Sequence, residues 1–144
     1  MRVTRKYRFS ASHRLHAPGL SQRENSELYG KCNNPYGHGH NYEIEVSVRG
    51  LVDARSGRVV DPRVLDWFIE QRVIQRFHQK NLNAESEAFQ DRVPTTENLA
   101  CEIYRQLKAR WQSVFPGESA SLEKVRIAET PRNIFEVSET NGQY

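Results

Sequence analysis

Hydrophobic and polar positions alternate from the start of the chain. Over residues 3–15, Val3, Tyr7, Phe9, Ala11, His13 and Leu15 share one parity, while Thr4, Lys6, Arg8, Ser10, Ser12 and Arg14 share the other. That period predicts a strand with one buried face. A second alternating run places Tyr42, Ile44, Val46 and Val48 on one side and Glu43, Glu45, Ser47 and Arg49 on the other. Between them, residues 16–37 are rich in Gly, Asn, Pro and Ser and read as a long loop, of the kind that often carries function in compact domains. In "DPRVLDWFIEQRVIQRF", Leu65, Ile69 and Val73 recur at helical spacing beside Phe68. Asp61 suits the N-cap and Pro62 the first helical position. A second helix follows in "PTTENLACEIYRQLKARW", with Leu99, Ile103, Leu107 and Trp111 on one stripe and Thr95 or Thr96 as its cap. Two short strands close the chain, near 122–129 and 133–138. This order predicts an α+β fold with a four-stranded antiparallel sheet. A sheet that small leaves open edges, which favours oligomerisation.

The 144 residues suffice for one domain, 1–144, with its own core. No apolar run is long enough to cross a bilayer. The opening "MRVTRKYRF" resembles neither a signal peptide nor an anchor, so the expected compartment is the cytoplasm. Two cysteines make no disulfide framework. A net charge of +3, with acids and bases interspersed, suits a small anionic substrate. It does not point to nucleic acid, since "RKYR" and the scattered arginines form no cluster and no stacking motif accompanies them.

The chemistry concentrates in "GKCNNPYGHGHNYEIEV", residues 30–46. His38 and His40 share the parity of Tyr42 and Ile44, and His13 lies on the apolar parity of the first strand. Three neutral imidazoles meeting at the ends of paired strands would make a zinc site of the catalytic type, with a fourth position for water or substrate. The alternative is three core histidines with satisfied nitrogens. Cys32, in a polar loop beside Lys31, is a candidate metal ligand, nucleophile or proton acceptor, or else a small buried hydrophobe. Cys101, among the apolar residues of the second helix, is structural. Glu129 ends a strand on its inward parity. It is either a frayed terminus or a carboxylate that grips an amidine-like N–H pair with two parallel hydrogen bonds.

Taken in order, "FSASHRL" (9–15), "YGKCNNPYGHGHNY" (29–42), "KNL" (80–82), "TTEN" (95–98) and "ET" (129–130) resemble the 6-pyruvoyl-tetrahydropterin synthase family along nearly the whole chain. Related 6-carboxytetrahydropterin synthases usually have a shorter gap between the cysteine and the paired histidines. The resemblance implies the tunnelling fold: an antiparallel sheet with two helices on one face, three chains closing into a barrel, and two trimers stacked as a homohexamer with sites between subunits. It implies that His13, His38 and His40 hold Zn2+, that Cys32 moves protons, and that Glu129, with Thr95 and Thr96, binds a pterin substrate. The implied reaction turns 7,8-dihydroneopterin triphosphate into 6-pyruvoyl-tetrahydropterin. The rival outcomes are a 6-carboxytetrahydropterin synthase-like or side-chain-cleaving reaction, or a zinc- and pterin-binding homologue without turnover. Charge and position make Arg14, Lys6 and Arg8 candidates for gripping the phosphates. One stretch departs from the family: its Asp-His pair before "KNL" is here His78-Gln79. Gln79 cannot titrate, so either a local backbone shift brings His78 into the proton relay, or Cys32 manages alone with zinc, or a different pterin makes the relay unnecessary; otherwise His78 is a surface histidine after a helix end.

Overall fold

The computed structural model describes residues 1–139. Two long strands, β1 (Arg2–His13) and β2 (His38–Arg49), pair antiparallel along their full length. Between them lies α1 (Gln22–Tyr29), then a single 3-10 turn at Gly30–Asn33. After β2 come α2 (Pro62–Ile69), a π-helical turn at Glu70–Ile74, and the short α3 (Gln75–Phe77). The two-residue β3 (Lys80–Asn81) and α4 (Leu82–Glu85) lead to the long α5 (Thr96–Val114). The strands β4 (Ser121–Thr130) and β5 (Asn133–Ser138) complete the sheet, in the order β3-β1-β2-β4-β5.

The parity seen in the sequence becomes two unlike faces. Phe9, Tyr42, Ile44, Val46, Val48, Val125 and Ile127 turn inward, and the buried sides of α2, α3 and α5 complete one core with them. Asp61 caps α2 and Pro62 opens it, as the sequence predicts. Phe68, Trp111 and Phe115 pack as one aromatic group, and the Trp111 indole donates to the Ala120 carbonyl at 2.9 Å. The other sheet face carries cross-strand ion pairs, among them Arg8–Glu43 at 3.4 Å and Lys124–Glu136 at 3.1 Å.

The structure corrects two expectations. The sheet has five strands and is mixed, because β3 pairs parallel with the end of β1, Ala11 opposite Lys80 and Ser12 opposite Asn81. Two residues are too few to show a period. Backbone geometry makes the strand: Gln79, at φ 58, donates its N–H to the Ser10 carbonyl at 2.6 Å. Residues 16–37 are also not all loop. Ser21 and Glu24 form a reciprocal capping box that starts α1, and "SQRE" is the sequence signature of such a box.

Candidate metal centre

The β1–β2 register explains why three imidazoles meet. His13 lies directly opposite His38, and His40 lies opposite Ala11, two positions along the same face. Their ligating atoms lie within 4.8 Å of one another. His13 Nε2 and His38 Nε2 are 3.0 Å apart. A tetrahedral ion with metal–nitrogen bonds of about 2.0–2.1 Å sets its ligand nitrogens roughly 3.3 Å apart, so the spacing fits.

The tautomers fit as well. His13 is 1% exposed, and its Nδ1 donates to the Pro94 carbonyl at 2.7 Å, leaving the Nε2 lone pair aimed into the cluster. His40 Nε2 is buried without a hydrogen bond, as a ligand atom awaiting an ion would be. Burial holds the His13 imidazole below the usual histidine range, and the neighbouring His38 and His40 push the same way against the Pro94 and Glu129 contacts. Burial and His40 lower His38 too. Neutral imidazoles are the form that binds a cation. The cluster can therefore hold a metal.

Glycine supports the approach of the second strand. Gly37 has φ +71, and a Cβ there would come within 3.0 Å of the His13 carbonyl oxygen. Glu129 closes the inner wall. The β4–β5 register shifts between Ala128 and Thr130, leaving Glu129 outside the ladder with its side chain over the cluster. Its Oε1 lies 3.3 Å from His40 Nε2 and 3.7 Å from His13 Nε2, and it accepts the Thr96 hydroxyl at 2.9 Å. Asn133 Nδ2 approaches the other oxygen at 3.4 Å. The carboxylate is thus held from one side and 15% exposed.

The other candidates separate. Thr96 reaches Glu129, whereas Thr95 spends its hydroxyl capping α5, accepting from the Asn98 N–H at 3.2 Å. Cys32 is half-buried in the 3-10 turn, and its carbonyl accepts the Leu15 N–H at 2.9 Å, which ties the turn to the chain leaving His13. The group of convergent ligand atoms does not include its thiol. His78 is exposed at the sheet edge and also lies outside that group, its Nδ1 accepting the Ser10 N–H at 3.1 Å. Lys6 and Arg8 turn to Glu43, at 3.6 and 3.4 Å. Arg14 instead lines a cleft with His16, Arg92, Asn83 and Tyr36, with no carboxylate among its lining residues. Arg92 also pairs with the buried Glu102 at 3.2 Å. Sequence reasoning missed His16 and Arg92, which sit outside any motif. It also read Tyr42 only as core, although its parity with His40 was a signal.

Comparison with known proteins agrees along the chain. The family model described as 6-pyruvoyl tetrahydropterin synthase matches residues 2–140. A 6-pyruvoyl tetrahydrobiopterin synthase of Poecilia reticulata is 47% identical over 133 residues, covering 92% of this chain and 86% of that protein. One of Drosophila melanogaster is 44% identical over 132 residues, covering 92% of this chain and 76% of the relative. The solved structure of Caenorhabditis elegans 6-pyruvoyl tetrahydropterin synthase superposes with a TM-score of 0.86 at 42% identity, covering 96% of this chain and 94% of that one. No helix among the described residues is long and apolar enough to cross a membrane.

Proposed function

The chain belongs to the 6-pyruvoyl tetrahydropterin synthase family, and from that premise we propose that it is a zinc-dependent carbon–oxygen lyase acting on 7,8-dihydroneopterin triphosphate. Its product is 6-pyruvoyl-tetrahydropterin, formed with loss of triphosphate. The observation that carries the reading is the His13–His38–His40 cluster with Glu129 over it, in a chain alike over nine-tenths of its length to enzymes of that name.

Zinc held by the three Nε2 atoms would supply Lewis-acid polarisation of the substrate's side-chain oxygens. The chain's own residues do the rest. Glu129 accepts two parallel N–H bonds from the pterin ring, a pairing that fixes both position and angle. Thr96 holds that carboxylate, and Thr95 supports it by starting α5 at the right place. Cys32 takes and returns protons at the side-chain carbons. The ring gains the two hydrogens that the side chain gives up, so no external oxidant or reductant enters. Arg14, with His16 and Arg92 in a cleft free of carboxylates, receives the phosphorylated end. His78 is the titratable group nearest in sequence to the family's relay.

The chain works as a homohexamer, a dimer of trimers whose sheets close into a barrel. The sheet ends on β3 and on β5, and pairing between chains would cover such edges. Sites between subunits would also let another chain's His78 complete a centre that neither His78 nor Cys32 joins within one chain.

The test is incubation of the zinc-loaded protein with dihydroneopterin triphosphate and identification of products by mass spectrometry. The expected product is the pyruvoyl compound plus triphosphate. Cys32→Ala should lower turnover by roughly 10²–10⁴ with zinc content unchanged. A carboxy or side-chain-cleaved product would replace this reading, and no turnover at all would reduce the protein to a binding homologue.

A further inference from the structure

Asn33 follows Cys32 directly, and no step above gives it a part. Its side chain is buried, at 8% exposure, and both hydrogens of its amide are used. Nδ2 donates to the Leu15 carbonyl at 2.7 Å and to His16 Nδ1 at 3.1 Å. The Asn33 carbonyl accepts the Arg14 Nε–H at 3.1 Å, and the Cys32 carbonyl accepts the Leu15 N–H at 2.9 Å. These hydrogen bonds clamp Cys32 and Asn33 to residues 14–16, the three that follow the candidate ligand His13.

The chemistry of the partners fixes which way the amide points. Only its nitrogen end can donate to the Leu15 carbonyl, so the same nitrogen meets His16, whose Nδ1 accepts and whose hydrogen lies on Nε2. On the far side, the Asn34 carbonyl accepts the Gly37 N–H at 2.8 Å, one residue before His38. The turn is thus tied to both strands that carry the imidazoles. A 3-10 turn of four residues has weak hydrogen-bond geometry of its own, so these outside contacts set its place.

We propose that Asn33 is a positioning residue, whose buried amide fixes the place of the Cys32 thiol relative to the imidazole cluster by stapling its turn to the chain leaving His13. This rests on Cys32 as the group that moves protons. It gives Asn33 a role that acts through its neighbour.

The experiment labels the zinc-loaded full chain with iodoacetamide and follows the Cys32 and Cys101 peptides by mass spectrometry. Cys101, half-buried on α5, is the internal control for loosening of the whole fold. Asn33→Ala should raise the Cys32 labelling rate roughly 5–100-fold, the range of two lost hydrogen bonds, and leave Cys101 unchanged. Its kcat should fall roughly 10–100-fold, since a displacement of about 1 Å is enough to spoil a reacting geometry. Metal content should stay at the wild-type value, as should the affinity for neopterin followed by pterin fluorescence. Asn33→Asp keeps the size of the side chain, cannot donate, and sets a carboxylate oxygen against the Leu15 carbonyl. It should behave like Asn33→Ala. Wild-type labelling and kcat in either variant, or equal rises at both cysteines, would overturn the proposal. Cys32→Ala separates the two layers. If it keeps wild-type turnover, the reading of Cys32 is wrong and the role of Asn33 falls with it. If it loses turnover while Asn33→Ala does not, only the positioning role fails.

Discussion

Two of the places where this molecule buries polar side chains, Glu102 on α5 and the imidazole cluster, treat them in opposite ways. Glu102, on α5, is 3% exposed and fully answered. Arg105 donates from Nε and NH2 at 3.2 and 2.8 Å, Gln106 donates at 2.8 Å, and Arg92 at 3.2 Å. Burial raises its carboxyl, but those hydrogen bonds and the two arginine charges outweigh it, and the carboxyl ends below its usual value. The imidazole cluster has the same degree of burial at His13 and no such closure. His40 Nε2 and the Tyr42 hydroxyl are left without hydrogen bonds, and His13 Nε2 meets only His38 Nε2, at 3.0 Å. A polar group that the fold needs is satisfied by the fold. One left unsatisfied is held for something the chain does not itself contain.

Single changes in each region should therefore fail differently. The largest effect belongs to the open cluster. His38→Ala removes a candidate ligand, and a loss of more than about 100-fold in metal affinity is expected, since even groups behind metal ligands are worth 10–100-fold. Metal content by mass spectrometry of the purified protein checks this. The apo chain should keep its melting temperature within a few degrees of the apo wild type. A collapse of the fold on His38→Ala would mean that the imidazoles are core residues after all.

The closed cluster should show the reverse. Glu102→Ala should cost about 1–3 kcal/mol in denaturant unfolding and leave metal binding intact. The figure lies below that for a wholly buried pair because the Arg92 and Arg105 side chains are 39% and 53% exposed and can return to water. The pH dependence follows from the lowered carboxyl. Its stabilisation is fully present above the ordinary glutamate value of 4.5 and is lost as pH falls through the lower folded value. The gap between wild type and Glu102→Gln in unfolding free energy should thus be flat near neutrality and close in acid.

The same contrast explains what the sequence could tell. Strand parity brought His13, His38 and His40 to one face because a period of two leaves no other choice, and the register then set them opposite or diagonal. Parity put Glu129 on the inward side too but left it either a frayed strand end or a gripping carboxylate; the register break between Ala128 and Thr130 that turns it over the cluster has no such period. The network around Glu102 was not legible, because Arg92 reaches it from outside α5, across a separation that no periodicity encodes. The fifth strand, β3, was hidden because it depends on the left-handed turn at Gln79 and on Ser10, not on its own two side chains. The carbonyl of Pro94, which sets the His13 tautomer, has no sequence signature at all.

The smallest expected effect tests the boundary between the regions, at the start of α5. Thr95 and Thr96 are neighbours of the same chemistry, yet one accepts from the Asn98 N–H and the other donates to Glu129. If that division is real, Thr95→Ala should lose about 1 kcal/mol, the usual value of a helix N-cap, and little neopterin affinity. Thr96 faces the site, so its replacement should shift binding more than stability. Urea unfolding and neopterin titration on the same two variants check both halves. Should Thr95→Ala weaken binding as much as Thr96→Val, the cap would have to be counted as part of the pterin site, and the line between fold and function would move one residue along the chain.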